Sequence, residues 1–151
     1  MKLKILVGNG SKIGLLTLPF LIAGIILNLL FPHFFRVGGP ALWLTSVSVA
    51  ILITGIVIWI WTIVLILTKI PRKKLITSGP YSIVRHPLYT GVALLVLPWI
   101  GILCNTWLGI FIGIIVYIGS RMYSPEEERI LAQFFGEAWT EYCKKVKMPW
   151  L

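Results

Sequence analysis

The chain has 151 residues, one domain's worth, 58% of them hydrophobic, and a mean hydropathy of +0.91. That excludes a soluble globule of this size. The formal net charge of +9 is not laid out for nucleic acid either, because the cations sit at the ends of long apolar stretches.

Lys2, Lys4 and Lys12 stand ahead of a first apolar stretch at 13–31. It has no small-x-small cleavage site and is long for a signal peptide, so it is predicted to be a retained span. The run Ile5-Leu6-Val7 with Gly8, Gly10 and Gly14 imitates a dinucleotide-binding glycine loop. That fingerprint has meaning only inside a strand-helix-strand unit, and here a membrane span containing Pro19 follows it. A loop at 32–40, with Gly38, Gly39 and Pro40 as turn formers, leads to a second stretch at 41–67, and the two spans are predicted to form a hairpin. Between 13 and 67 the only ionisable residues are His33 and Arg36, both in that loop. Neither span carries a mid-membrane proton relay or ion-binding carboxylate, which argues against transport.

Lys69, Arg72, Lys73, Lys74 and Arg85 fill the connection to a third stretch at 89–103, and an uncharged turn at Cys104-Asn105 leads to a fourth at 106–118. The first two are long enough for a hydrocarbon core of roughly 30 Å. Backbone groups in lipid must be paired within the segment, so the stretches are helices. The predicted fold is all-α, an integral membrane bundle of four transmembrane helices plus a cytoplasmic amphipathic C-terminal helix. It reads as one domain, an N-terminal hairpin at 1–74 followed by a core at 75–151. The positive-inside rule places the N-terminus, the 69–87 connection and the C-terminal tail in the cytoplasm. The expected setting is the cell membrane of a prokaryote or the endoplasmic reticulum of a eukaryote. Cys104 and Cys143 then lie on opposite sides of the bilayer, so neither a disulfide nor a metal site is expected. Gly109 and Gly113 form a small-xxx-small pattern that permits close helix packing.

Past Arg121 the composition turns charged and amphipathic. Ser124, Pro125 and Glu127 fit an N-cap, a first-turn proline and the glutamate of a capping box, so a new helix is predicted to start there. Its apolar positions Leu131, Phe134, Phe135, Ala138, Trp139, Tyr142 and Val146 recur at helical spacing, while Glu128, Glu137, Glu141, Lys144 and Lys145 largely take other faces. Such a helix should lie along the cytoplasmic membrane surface or cover the bundle. The chain has no aspartate, and its five glutamates all fall between 126 and 141. Glu126 reads as a first-turn acid complementing the helix dipole.

The segment 79–91 concentrates turn residues, tyrosines, a guanidinium and an imidazole. Pro80 and Pro87 hold neighbouring amides and carbonyls out of helical pairing, leaving them for another partner such as a ligand edge. Arg85 offers a planar fork for a carboxylate or phosphate, His86 can donate or accept near neutral pH, and Tyr81 and Tyr89 add hydroxyls or stacking faces. Interfacial anchoring explains the same residue types, with Pro87 as a first-turn residue of the third helix. On these residues alone both readings stand.

Gly79-Pro80-Tyr81, Arg85-His86-Pro87, Tyr89 and Gly91, followed after the fourth span by Glu127-Glu128 with Leu131, resemble the isoprenylcysteine carboxyl methyltransferase family and its phospholipid methyltransferase relatives. The resemblance covers about 75–149, with Phe135-Gly136-Glu137 and Glu141-Tyr142 in the tail. It implies S-adenosyl-L-methionine as cofactor, held on the cytoplasmic side between the Arg-His-Pro segment and the glutamate pair. The positions it carries over to cofactor binding are Tyr81, Val84, Arg85, His86, Pro87, Leu88, Tyr89 and Gly91 on one side and Glu127 and Glu128 on the other. Arg85, His86 and Glu128 are the implied catalytic residues. Backbone groups near Pro87 would read adenine, and the glutamates would take the ammonium or ribose hydroxyls.

The implied acceptor is a lipophilic or lipid-anchored molecule entering from the membrane, with no nucleic acid involved. For a carboxylate acceptor, Arg85 or Arg121 would hold it; for an amine, His86 or a glutamate would serve as base. Four predicted spans, where the carboxyl methyltransferases have five or more, keep phospholipid amines open as the alternative. Membrane sterol reductases share a similar segment and use a nicotinamide cofactor, but with many more spans. A non-enzymatic protein anchored by its basic loop would have no need of Glu127-Glu128 opposite Arg85-His86.

Overall fold

The structure, a computed structural model, describes residues 9–39 and 41–149. Lys2, Lys4, the Ile5-Leu6-Val7 run with Gly8, and Pro40 lie outside the described residues. Helix α1 spans Gly10–Leu30, α2 is the short Pro32–Phe35, and α3 spans Leu42–Lys69. Single 3-10 turns follow at Ile70–Arg72 and Gly79–Ser82. The third apolar stretch is one bent helix made of α4 (Pro87–Thr90), a π-helical segment (Gly91–Val96) and α5 (Leu97–Leu103). Helix α6 spans Leu108–Phe135 and α7 spans Glu137–Lys145. Among the described residues the only β pairing is the isolated bridge Arg36–Thr106.

Gly10–Leu30, Leu42–Arg72 and Leu108–Phe135 are each long and apolar enough to cross a membrane, and Pro87–Leu103 is shorter. The chain is an integral membrane protein, an all-helical bundle in which the third of the four expected spans is a shorter, bent helix. The bend follows from chemistry. Pro98 has no N–H to give the Leu94 carbonyl, and the Trp99 indole N–H donates to that oxygen instead at 3.2 Å.

The expected hairpin of the first two spans is not how they pack. Helix α1 lies against α6, α3 lies against the bent third helix, and that helix packs on α6. Small residues select these partners. On α3, Ser48, Gly55 and Thr62 are buried at intervals of one heptad, and a Cβ on Gly55 would stand 2.7 Å from Leu95 Cβ. Both hydroxyls bond back to their own helix, Ser48 to the Leu44 carbonyl at 2.7 Å and Thr62 to the Ile58 carbonyl at 2.8 Å, so the seam offers shape rather than unmet polarity. Gly109 and Gly113 serve the close packing expected of them. A Cβ on Gly109 would lie 2.7 Å from Gly101 Cα, and one on Gly113 would meet the Ala93 carbonyl.

Two boundaries differ from expectation. Helix α6 runs unbroken through Ser124 and Pro125. The Ser124 hydroxyl donates to the Ser120 carbonyl at 2.6 Å, which is the back-bond of a residue inside a helix and not a cap. The amphipathic tail is instead divided at Gly136, whose φ of +56° ends α6. Leu131, Phe134 and Phe135 therefore belong to α6 and Ala138, Trp139 and Tyr142 to α7, while Trp139, Tyr142 and Val146 form a buried cluster against Leu75, Leu131 and Phe135. Lys12, expected ahead of the first helix, lies inside α1 and forms an ion pair with Glu126. Glu126 thus has a cation as partner in place of the helix dipole.

At the opposite end, the 32–39 loop is fastened to the turn before α6. Asn105, at φ +56°, accepts the Gly38 and Gly39 amides on its side-chain oxygen at 3.1 and 2.9 Å, and Trp107 N–H donates to the Phe35 carbonyl at 2.9 Å. Cys104 is exposed at this end, and Cys143, on α7, is not bonded to it.

Candidate active site

The segment 79–91 enters the site through Gly79, at φ +64°, where an added Cβ would lie 3.0 Å from the Trp61 ring. Only glycine satisfies both the backbone and the clearance. The turn buries Pro80 and Val84 and ends at His86, which precedes α4. The His86 carbonyl accepts both the Thr90 N–H at 3.2 Å and the Thr90 hydroxyl at 2.9 Å, locking the first turn.

The amides expected to be free beside Pro87 are taken. Arg85 N–H donates to the Met148 carbonyl at 3.3 Å and His86 N–H to the Pro149 carbonyl at 3.1 Å. The chain after α7 folds back over the segment, and the Tyr142 hydroxyl donates to the Tyr81 carbonyl at 2.7 Å. A ligand edge could reach those two amides only by displacing these partners.

Arg85, His86 and Glu128 form one cluster. Arg85 Nη1 lies 2.9 Å from Glu128 Oε1 and 3.0 Å from Oε2, and His86 Nε2 lies 3.1 Å from Oε1. The side chains are 14%, 3% and 24% exposed for Arg85, His86 and Glu128. Arg85 Nη1 also approaches Cys143 Sγ at 3.5 Å, whereas its Nε, buried, has no hydrogen-bond partner among the described residues. The His86 and Tyr89 rings stack with centroids 6.3 Å apart. Tyr89 donates to Glu127 Oε2 at 3.3 Å, and the Asn9 amide approaches the same oxygen at 3.5 Å. Among the described residues Glu127 Oε1 receives no donor. With no helix start at Ser124, the capping role weighed for Glu127 falls away.

Tyr81, Arg85, His86, Leu88, Tyr89 and Glu127 line a cleft completed by Leu131, Phe135, Trp139 and Tyr142 and by apolar residues of α3 and the 70–76 connection. The cleft is narrow, with a cavity volume of about 70 Å³. Burial, then the Glu127 charge, then Tyr142 push the Tyr81 hydroxyl above the ordinary tyrosine range, so it remains a neutral donor. Burial likewise raises Tyr142.

Glu128 is not a wall of this cleft; it stands behind Arg85 and His86. Val84, Pro87 and Gly91 face elsewhere, lining a second, mostly apolar groove with Ile58, Trp61 and Leu95. Arg121 is exposed on α6 and lines neither space. Sequence reasoning missed Asn9, which has no signal beyond being polar ahead of a span. Trp139 and Tyr142 were visible only as the apolar face of a tail helix. Among the described residues no group of histidine, cysteine or acidic side chains could hold a metal ion.

Residues 50–133 match the isoprenylcysteine carboxyl methyltransferase family model, a stretch that includes Arg85, His86, Glu127 and Glu128. This chain belongs to that family. The match begins inside α3, earlier than the tail-centred resemblance in the sequence, and stops before α7. Among similar proteins, protein-S-isoprenylcysteine O-methyltransferase B of Arabidopsis thaliana is 37% identical over 83 residues, covering 53% of this chain and 42% of its own. The protein-S-isoprenylcysteine O-methyltransferase of Homo sapiens is 39% identical over 78 residues, 52% of this chain and 28% of that one. A delta(14)-sterol reductase of Mus musculus is 32% identical over 76 residues, 49% of this chain and 18% of that one. The matched part spans less than half the length of each of these relatives. No solved structure matches the chain.

Proposed function

We propose that this family member is an S-adenosylmethionine-dependent membrane methyltransferase acting on a lipophilic acceptor, with carboxyl O-methylation as the leading reaction. The observation that carries the reading is that Arg85, whose buried Nε has no partner among the described residues, and Glu127, whose Oε1 receives no donor among them, line one cleft. S-adenosylmethionine presents a carboxylate, an ammonium, ribose hydroxyls and an adenine ring, so it needs both kinds of group together with an apolar wall. Arg85 Nε would take the carboxylate, Glu127 Oε1 the ammonium or a ribose hydroxyl, and Phe135 and Trp139 the adenine face. When bound, the cofactor supplies an electrophilic methyl group on a sulfonium.

The protein's own part is alignment and exclusion of water. Glu128 fixes Arg85 and His86 from behind, Tyr81 and Tyr89 present hydroxyls at the wall, and α7 covers the cleft. The cleft is smaller than the roughly 300 Å³ and upward of typical ligand pockets, so this reading requires a wall to give on binding, and α7, joined to α6 through Gly136, would be that wall. A lipophilic acceptor would approach by the apolar groove lined by Val84, Pro87 and Gly91, on the other side of the segment. The distribution of lysine and arginine supports a cytoplasmic setting for both termini and the cleft. Phospholipid amines are the alternative acceptors.

The sterol reductase match supports one rival, an NADPH-dependent reductase using the same cleft. Calorimetric titration of the detergent-purified protein with S-adenosylhomocysteine and, separately, NADPH separates them. Tight binding of S-adenosylhomocysteine alone is expected; NADPH alone would favour the reductase, and neither would sink both. His86→Ala should weaken S-adenosylhomocysteine at least about tenfold. Lys73→Ala, an exposed cation outside the cleft, should leave it unchanged. Equal losses would mean mere charge attraction.

A further inference from the structure

The N-terminal helix lies outside the matched residues 50–133, yet its first residues touch the site. Asn9 is 5% exposed, an uncommon burial for an amide side chain. Its Nδ2 donates to the Tyr123 carbonyl at 2.6 Å, and its backbone N–H approaches Glu127 Oε2 at 3.5 Å. One turn of α6 separates those two acceptors. Lys12, on the first turn of α1, pairs with Glu126 and stands 5.8 Å from the centre of the Tyr123 ring. A Cβ on Gly10 would touch the Tyr89 hydroxyl at 3.9 Å, and that hydroxyl is the other donor to Glu127 Oε2.

We propose that Asn9 is a positioning residue for Glu127, so that the start of α1 is a working part of the cofactor site. The proposal rests on the methyl-donor reading above. Its side chain grips the turn of α6 that begins at Tyr123, which brings the positive end of α1 onto the Glu127 carboxylate. With Oε2 held by Asn9 and Tyr89, the carboxylate cannot rotate freely. Oε1 is then the oxygen presented to a ligand.

The test is a double-mutant cycle on S-adenosylhomocysteine affinity, measured by calorimetry on the full chain with the thermal midpoint of each variant. Asn9→Ala should weaken binding about tenfold, as loss of one buried polar contact does. In a Glu127→Ala background the same change should cost nothing further, because Asn9 acts through that carboxylate. Thr17→Val removes a buried hydroxyl of the same helix that bonds to its own helix at the Ile13 carbonyl, so it should shift the midpoint without shifting affinity. If Asn9→Ala does not fold, Asn9→Ser, too short to reach Tyr123, gives the same comparison. Wild-type affinity in Asn9→Ala, or equal losses with and without Glu127, would overturn the proposal while leaving the methyl-donor reading intact. Failure of the wild-type protein to bind S-adenosylhomocysteine would overturn both.

Discussion

Glu128→Gln is expected to abolish measurable S-adenosylhomocysteine binding and to lower the thermal midpoint of the protein in detergent. Glu128 is the only carboxylate within salt-bridge distance of Arg85 among the described residues, and it holds His86 with the same oxygen. The glutamine keeps the shape but not the charge, and because Arg85 Nη1 lies within 3.0 Å of both carboxylate oxygens, the NH2 group would face the guanidinium in either orientation. A buried cation that loses its counterion costs several kcal/mol when fully enclosed. Arg85 and Glu128 retain some exposure, so about 2–3 kcal/mol is the expected loss of stability. Affinity should fall further than stability, because the unused Nε belongs to the side chain that Glu128 orients. Glu137→Gln, at an exposed position of α7, is the matched control and should change neither. If Glu128→Gln kept both affinity and midpoint, the cluster would be an incidental surface pair.

The sequence made the chemistry of this site legible before its geometry. Arg85-His86-Pro87 and Glu127-Glu128 stood out because so few polar residues interrupt the chain, and the positive-inside rule put them on one side of the membrane. What neither composition nor topology can supply is the identity of a backbone partner. Pro87 signals that the Arg85 and His86 amides leave the helix ladder, but that the carbonyls of Met148 and Pro149 receive them depends on how α7 folds back. Ser124-Pro125-Glu127 has the pattern of a capping box, yet a serine inside a helix can bond to the carbonyl four residues earlier, and the local pattern does not distinguish the two. Hydropathy locates a span without naming its neighbour. The heptad-spaced Ser48, Gly55 and Thr62 carried that information, hidden among larger apolar residues that face outward.

Gly109→Ala should be the most damaging single-methyl change in the membrane region. The added Cβ would lie 2.7 Å from Gly101 Cα, 2.8 Å from Gly101 N and closer still to the Leu97 carbonyl oxygen. All three are backbone atoms, so no side chain can rotate away, and the two helices must separate. Within a bilayer the gain from helix packing is van der Waals contact rather than removal from water. Separation therefore forfeits the contact with little in return. Overpacking of this kind costs about 1–3 kcal/mol, and more when only backbone can yield. The consequence extends to the site, because the bent helix begins at the Arg85-His86 segment and α6 carries Glu127 and Glu128. Spreading their crossing at Gly101 and Gly109 tilts one half of the cleft against the other. Gly109→Ala is accordingly expected to lower the thermal midpoint and to weaken S-adenosylhomocysteine binding together. Gly14→Ala, on α1 with nothing within 4 Å of the new methyl, should do neither and gain slightly from the better helix propensity of alanine. Equal midpoints for the two variants would show that the glycine crossing does not hold the third helix to the fourth.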